Sequence, residues 1–423
     1  MEKDDRIESG SMIIAGILLL ILGICVMVTR DTFIFTMVEL VALVFIIGGI
    51  IEFISLFLSN KKKSSSLFAA IGMIVFGQLI QLFPRIPVSF IIILFGIYAL
   101  LVGTYKGITY VIYRKNKVKG RFILLIDASI FLLNGLALVL TPIENVGLLF
   151  FIVGLYISCL GVMYIRDGLQ IVVPVKPGRI TRHIRINLPV LLVALLPYRS
   201  LQFINRYLSK YDDDGKVTEF IDKKEDEQPD IEVFIHVTKE GFGTLGHVDL
   251  CFKGEVISYG NYDHRSFRLH ETIGDGVLFI APKEKYIPFC IEHSKKTLFS
   301  FGLKLSPQQY QNVEVKIEEI KSRLVEWDAP ITLDPEHPEL YSDYASILVR
   351  DTGAKTYKFK NSRFKTYFVL STNCVLLADS VLGKAGTDLL NINGIITPGA
   401  YYDYFEKEFK KKDSFVITRA VYK

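Results

Sequence analysis

Residues 246–252 read GHVDLCF, and residues 371–377, late in the chain, read STNCVLL. The first stretch alternates in the manner of a β-strand, with His247 at its start. In the second, Cys374 directly precedes an apolar stretch of helical periodicity that ends in Gly383, which predicts a helix beginning at or near the cysteine. The chain therefore offers an imidazole at the start of a strand and, much later, a thiol at the start of a helix.

These two side chains form a candidate pair for covalent catalysis. The positive end of a helix dipole favours a thiolate, which is the nucleophilic form of cysteine. A thiolate needs a base or a cation beside it, and an imidazole on a neighbouring strand is the usual partner. In an odd-register hairpin Tyr259 or Asn261 would lie beside His247 as an orienting group, whereas a two-residue loop would place Gly260 there.

The order of these parts resembles the circularly permuted papain-like superfamily of the NlpC type, including its lecithin retinol acyltransferase-like branch. The resemblance covers roughly residues 231–409, with an insertion near 327–358. It implies that His247 is the base and Cys374 the nucleophile. It also implies a second polar residue, often histidine, about twelve positions after the first. Tyr259 stands there instead, which leaves Tyr259, Asn261 and Asp263 as alternatives for the orienting residue.

The first part of the chain consists mostly of apolar stretches. Each is near the roughly 20 residues that a helix needs to cross a bilayer, so six transmembrane helices are predicted. Pro84 and Pro87 are expected in a tight loop between the third and fourth helices. The six stretches are residues 12–29, 36–58, 67–83, 88–112, 122–141 and 146–165.

The loops between these stretches alternate in charge. Three basic clusters, at residues 61–63, 114–121 and 166–185, lie on one side, and the other side carries few charges. The positive-inside rule then places both termini and the whole second half in the cytoplasm, next to a bacterial plasma membrane.

Similar sequences recur in the apolar region, at residues 45–50, 93–98 and 152–156, which predicts three helical hairpins. This layout resembles the HdeD-like acid-resistance membrane family, over about residues 10–170. The recurring glycines indicate close helix packing rather than transport. Glu52 and Asp127 are carboxylates within predicted spans, for which pairing or an interfacial position is expected rather than a proton path. The glycines in question are Gly48, Gly49, Gly96 and Gly154.

The fold class is therefore an N-terminal all-α polytopic membrane domain followed by a C-terminal α+β domain with a permuted papain-like fold. The predicted boundaries are 1–170 for the membrane domain, 171–230 for an interfacial helix and polar linker, and 231–423 for the α+β domain. The apolar run at 188–197 is too short to span a bilayer, so it is expected to lie at the interface.

Strands and helices are predicted within the α+β domain from alternation and capping. A helix is expected at 308–324, after Ser306-Pro307. The sequence GFGTLG at 241–246 matches a dinucleotide-binding pattern, but a strand rather than a helix follows it, so no such site is expected. The predicted strands are 231–237, 247–252, 255–259, 276–280, 287–291 and 298–305.

Composition excludes several other functions. The formal net charge is only +5, without a basic face interleaved with aromatics, so nucleic-acid binding is not expected. The five cysteines form no C-x-x-C pair and the histidines lack ligand spacing, so neither a metal nor another cofactor is expected.

The leading hypothesis is a membrane-anchored cysteine hydrolase or acyltransferase that acts on an ester, thioester or amide. Membrane lipids are the expected neighbours, which favours a lipid or lipidated substrate; the oligomeric state is left open. One alternative is a non-catalytic, stress-related membrane protein or partner-binding module. The other is a cell-wall peptidase or amidase, which requires the α+β domain to lie outside the cell.

Overall fold

The computed structural model describes residues 3–58, 64–172, 184–185, 219–223, 227–237, 246–293, 297–385, 390–391, 398–410 and 414–422. The chain divides into two compact units, Met1–Ile108 with Phe122–Val175, and Thr109–Arg121 with Lys176–Lys423. The predicted interfacial helix and the glycine-rich run at 241–245 lie outside the described residues.

The first unit is built from long helices. Of the helices described, five are long and apolar enough to cross a membrane. The apolar part of the third, Leu67–Leu82, is shorter; at 1.5 Å per residue it extends about 24 Å, against about 30 Å of hydrocarbon. The helices are α1 (Lys3–Thr29), α2 (Asp31–Leu58), α3 (Ser64–Leu82), α4 (Arg85–Lys115), α5 (Phe122–Leu140) and α6 (Val146–Val172).

The two prolines between α3 and α4 have different positions. Pro84 lies in the turn, as the sequence predicts, but Pro87 lies in the first turn of α4 rather than in the loop. Amides in a first turn have no acceptor within the helix, so the missing N–H of a proline costs no hydrogen bond there.

Glycines set the closest helix pairs of this unit. A Cβ added to Gly154 of α6 would lie 2.6 Å from the carbonyl oxygen of Gly23 in α1, and one added to Gly96 of α4 would lie 3.0 Å from that of Gly135 in α5. Gly49 of α2 approaches the Ala70 carbonyl of α3 in the same way. The predicted role of these glycines in close packing is therefore confirmed. The glycine contacts join α1 to α6, α2 to α3 and α4 to α5.

The carboxylate of Asp127 in α5 pairs with the ammonium group of Lys106 in α4. Lys106 is buried, and its Nζ lies 4.3 Å from the centre of the Phe131 ring. The pairing expected for Asp127 is thus observed. Glu52, the other carboxylate, is partly buried near the end of α2.

The second unit is centred on an antiparallel sheet. Among the described residues nine strands form it, in the order β2-β13-β8-β3-β4-β5-β7-β10-β9. Two short ribbons, β1–β12 and β6–β11, lie outside the sheet. The strands are β1 (Ile184–Arg185), β2 (Glu219–Lys223), β3 (Ile231–Val237), β4 (His247–Phe252), β5 (Glu255–Gly260), β6 (Ile273–Asp275), β7 (Val277–Pro282), β8 (Thr297–Leu303), β9 (Leu324–Glu326), β10 (Lys355–Phe359), β11 (Thr366–Phe368), β12 (Leu390–Asn391) and β13 (Val416–Tyr422).

Helices cover both faces of this sheet, because alternate residues of its strands are apolar on both sides. One core contains Leu250 of β4 together with Val375 and Phe405, and the other contains Cys251 of β4 together with Tyr286 and Leu348. The helices are α7 (Lys283–Pro288), α8 (Pro307–Lys321), α9 (Pro330–Leu333), α10 (Tyr344–Thr352), α11 (Cys374–Leu382) and α12 (Pro398–Lys410).

Most of the predicted elements are present. The strands predicted at 231–237 and 247–252 match β3 and β4, and the Ser306 capping box starts α8 as expected. The strand predicted at 287–291 is wrong: this segment is the end of α7 and a π-helical turn at Phe289–His293. A short apolar run does not by its periodicity distinguish a strand from a buried helix.

Candidate catalytic site

Cys374 is the first residue of α11, and the preceding asparagine fixes this start. Asn373 Oδ1 accepts a hydrogen bond from the N–H of Leu376 at 3.0 Å, which caps the helix. Its Nδ2 donates to the carbonyl oxygen of Val369 at 3.0 Å, which holds the loop before the helix. The thiol therefore lies at the positive end of the α11 dipole, as the sequence predicts.

His247 is the first residue of β4, and its imidazole lies close enough to Cys374 for the two side chains to interact electrostatically. The structure thus brings together the two residues that lie far apart in the sequence. The thiol is buried, whereas about a fifth of the histidine side chain, 21%, is exposed. Solvent and a small reactant can therefore reach the pair from the histidine side.

Three oxygen atoms surround Nε2 of His247. Ser258 Oγ lies at 3.0 Å, the Tyr262 hydroxyl at 3.2 Å and Asp249 Oδ1 at 3.0 Å. The Asp249 contact is a close charge contact rather than an aligned hydrogen bond.

Asp249 lies at the centre of a buried polar cluster. Its Oδ2 accepts a hydrogen bond from the Tyr286 hydroxyl at 2.7 Å and also contacts Nε2 of His236. His236 and His247 are register partners on β3 and β4, and their ring centres lie 5.3 Å apart. One carboxylate therefore contacts two histidines.

Burial and charge oppose each other at this site. Burial lowers the pKa of His247, but negative charge at Cys374 and Asp249 outweighs it and raises that pKa from 6.5 to about 10. Burial raises the pKa of Asp249, but His247 and His236 outweigh it and hold the value well below the usual range. At neutral pH the cluster thus contains an imidazolium and a carboxylate, and the imidazolium is the cation that a thiolate requires.

Tyr259 does not lie beside His247. The β4–β5 loop has two residues, Lys253 and Gly254, both with positive φ, so continuing the strand register places Gly260 opposite His247. This is the second of the two registers considered from the sequence. Tyr259 belongs to the other face of the sheet, where it is buried and its hydroxyl donates to the carbonyl oxygen of Phe364 at 2.9 Å.

The other two candidates for the orienting residue also have different partners. Asn261 Nδ2 donates to the carbonyl oxygen of Glu271 at 2.8 Å. Asp263 accepts from Lys358 Nζ at 2.7 Å and from the N–H of Arg265 at 3.1 Å. The structure brings Asp249, rather than either of these residues, into contact with His247.

The sequence itself indicates that Asp249 lies near His247. Residues two apart on a strand share a face, so the spacing His247-Val248-Asp249 places imidazole and carboxylate together. His236 gave no such signal, because its position opposite His247 depends on a strand pairing that the sequence does not specify. Within the described ranges, no three His, Cys, Asp or Glu side chains are arranged as metal ligands.

Comparison with known proteins identifies the membrane region. The model of a short repeat of unknown function, DUF308, which is the HdeD-like membrane family, matches residues 14–71 and 68–140. No curated protein matches the chain. No solved structure matches it either. The apolar helices and the two repeat matches together indicate a multi-pass membrane protein with a DUF308 region at its N-terminus and a sheet-rich α+β region at its C-terminus.

Proposed function

We propose that the α+β region is a cysteine hydrolase or acyltransferase with Cys374 as nucleophile and His247 as acid and base. The observation that carries this proposal is that the fold brings the His247 imidazole to Cys374 at the start of α11, with Asp249 Oδ1 3.0 Å from Nε2 of the same imidazole. Asp249 then takes the orienting role that the sequence left open between Tyr259, Asn261 and Asp263.

In this reaction the Cys374 thiolate attacks the carbonyl carbon of an ester, thioester or amide, and a sulfur–carbon bond forms. In the first turn of α11 the Leu376 amide donates to Asn373, whereas the amides of Cys374 and Val375 have no acceptor within the helix and are the ones placed to stabilise the oxyanion. The His247 imidazolium gives its proton to the leaving alcohol, thiol or amine as the carbonyl–leaving group bond breaks. His247 then takes a proton from water or an acceptor, which attacks the thioester and releases the thiolate.

The proposal includes a permuted papain-like fold for residues 231–423. Its support is the order of base before nucleophile and the Asn-Cys start of a helix, α11, that packs on the face of an antiparallel sheet. This fold uses the same pair of elements, a cysteine on a helix N-terminus and a histidine on a strand, for acyl chemistry.

The proposed substrate is a lipid or a lipidated molecule, because the α+β region belongs to the same chain as the membrane helices. The proposed location is the plasma membrane with both termini in the cytoplasm, which the basic loops at 61–63 and 114–121 support. A cytoplasmic position also keeps the free thiol reduced. A reporter fused after Lys423 that is active only outside the cell would overturn this topology and favour a cell-wall amidase.

The test is to trap the acyl-enzyme. Full-length protein in detergent micelles is mixed with short-chain and long-chain p-nitrophenyl esters, and its intact mass is followed. A mass increase of one acyl group on Cys374 is expected, and none in Cys374→Ala. His247→Gln should slow acylation about 100-fold, since general acid–base catalysis typically contributes 10²–10⁴-fold.

The remaining cysteines provide an internal control, because Cys251 is buried and burial raises its pKa to about 12. Acylation that is equal in the wild type and in Cys374→Ala would exclude the enzymatic proposal. The non-catalytic alternative, a membrane protein with an inactive module, would then stand.

A further inference from the structure

Asp249 divides its two carboxylate oxygens between different partners. Oδ2 receives the Tyr286 hydroxyl and the His236 imidazole, whereas Oδ1 has no hydrogen-bond partner within the described part of the chain and lies 3.0 Å from Nε2 of His247. Asp249, His236 and Tyr286 are all at most 1% exposed. Oδ2 is thus hydrogen-bonded within the core, and Oδ1 faces His247, the proposed base.

This arrangement needs a physical reason, because burying a carboxylate costs several kcal/mol unless it is paired and hydrogen-bonded. The contacts on Oδ2 provide that compensation without using Oδ1. A purely structural cluster would not be stabilised by leaving one carboxylate oxygen beside a half-buried histidine at the edge of the core. A catalytic cluster does benefit from this arrangement, because an ionised carboxylate beside His247 favours the imidazolium.

We propose that His236 and Tyr286 are positioning residues of the Cys374–His247 site, which act through Asp249 by keeping its carboxylate ionised and Oδ1 directed at His247. This inference rests on the proposed function. The two residues touch neither the substrate nor the reacting atoms. Their role is to keep Asp249 ionised to low pH, so that its charge continues to favour the His247 imidazolium.

The chemistry follows from the alternation of charge along the cluster. Asp249 contacts both His236 and His247, and His247 interacts with Cys374 as well. Removal of the His236 contact raises the pKa of Asp249, so the negative charge that favours the His247 imidazolium is lost at a higher pH. The paired state then begins at a higher pH.

Several further groups face this cluster and belong to the same titration. Ser258 and Tyr262 contact His247, and Tyr262 stacks on Tyr344 of α10 with ring centres 5.2 Å apart. Charge interactions also link Tyr286 to Cys290 and Tyr344. Burial raises the pKa values of Tyr262 and Tyr286 well above 10, so both stay neutral over the pH range of the test.

The experiment measures the rate of Cys374 alkylation by iodoacetamide between pH 4 and pH 10, in full-length protein in micelles, by mass spectrometry of the peptide that contains Cys374. The variants are His236→Gln, Tyr286→Phe, Asp249→Asn and the double change of His236 and Asp249. His293→Gln serves as the matched control, because His293 is exposed and stacks on Phe289. Circular dichroism checks that each variant is folded.

The wild type should show two steps, one where the thiolate forms and one near pH 10 where the His247 imidazolium is lost. His236→Gln and Tyr286→Phe should move the lower step to higher pH, by about one pH unit for the histidine, the lower end of typical charge effects. The step near pH 10 should stay in place, because Asp249 is ionised there in both variants. The double variant should match Asp249→Asn, because His236 acts through Asp249. His293→Gln should leave the profile unchanged.

Different failures have different meanings. A wild-type profile that His247→Ala leaves unchanged would contradict the proposed function itself. A wild-type profile that depends on His247, with unchanged steps in folded Tyr286→Phe and His236→Gln, would overturn only the positioning role. Should His236→Gln fail to fold, Tyr286→Phe decides, since it removes a single hydroxyl.

Discussion

Two tyrosines near the site show that the pairing register of β4 and β5 decides which side chain contacts His247. Tyr259 and Tyr262 are close in sequence, yet the Tyr262 hydroxyl lies 3.2 Å from His247 Nε2 while the Tyr259 hydroxyl donates to the Phe364 carbonyl. Tyr259 is packed against Phe359 and Phe364 in the core of the other sheet face. At the scale of residues, Tyr259 belongs to the packing rather than to the proposed chemistry.

Tyr259→Phe tests this assignment. The change removes one buried hydrogen bond and leaves the Phe364 carbonyl oxygen without its donor, so it should destabilise the protein by about 1–3 kcal/mol. The alkylation rate of Cys374 should stay within about twofold of the wild type. Thermal unfolding and alkylation measured on the same sample give both values. A loss of Cys374 reactivity as large as that in His247→Ala would show that Tyr259 takes part in the proposed chemistry.

At the scale of elements, the start of α11 positions the thiol. Asn373 satisfies the Leu376 amide and ties back to Val369, so the cap and the preceding loop are fixed by one side chain. The dipeptide Asn-Cys thus has a physical basis: the first residue ends the loop and the second stands at the positive end of the dipole.

Asn373→Ala should lower the free energy of unfolding by about 1 kcal/mol, the usual cost of a lost N-cap. It should also slow Cys374 alkylation, because the first turn of α11 frays. Asn373→Ser is the matched control, since serine caps a helix but cannot donate to Val369 as the amide does. Equal stability of the alanine and serine variants in chemical denaturation would show that the cap does not hold this helix.

Elements set by local chemistry could be predicted from the sequence. The alternation in 231–237 and 247–252, the capping of α8 and the cysteine at a helix start all appear in the structure. The neighbours of His247 could not be predicted from the sequence, because they depend on the length of the Lys253-Gly254 loop and on the pairing of β3 with β4. The segment at 287–291 was wrongly predicted as a strand because short apolar runs fit both periodicities.

At the scale of the molecule, the helices of the first unit approach through glycine. The repeat in the sequence predicts three helical hairpins, and the glycine contacts of the structure join α1 to α6, α2 to α3 and α4 to α5. The pairing of the first with the last helix involves residues far apart in the chain, so no repeat pattern reveals it. In lipid, where apolar burial gives no driving force between helices, such close backbone approach provides the packing energy.

Gly154→Ala should therefore destabilise the membrane region, because the new Cβ would meet the Gly23 carbonyl oxygen at 2.6 Å. The melting temperature of the full chain in micelles should fall by several degrees, as expected for overpacking that costs about 1–3 kcal/mol. Gly72→Ala in α3 is the control, since its added Cβ has no atom within 4 Å. Equal melting temperatures of the two variants would contradict the close packing of α1 and α6.

The central claim is that Cys374 and His247 form a thiolate–imidazolium pair. The raised pKa of His247, about 10, means that the imidazolium is present at acid and neutral pH and is lost only as the pH rises through about 10. A thiol without such a cation, with an ordinary pKa near 8.5, is mostly protonated at about pH 6.

The most direct measurement is the alkylation rate of Cys374 at pH 6 in full-length wild type and His247→Ala. The wild type should react at least about tenfold faster, because only the wild type has an imidazolium beside the sulfur to favour its nucleophilic form. Equal rates in two folded proteins would contradict the thiolate–imidazolium pair.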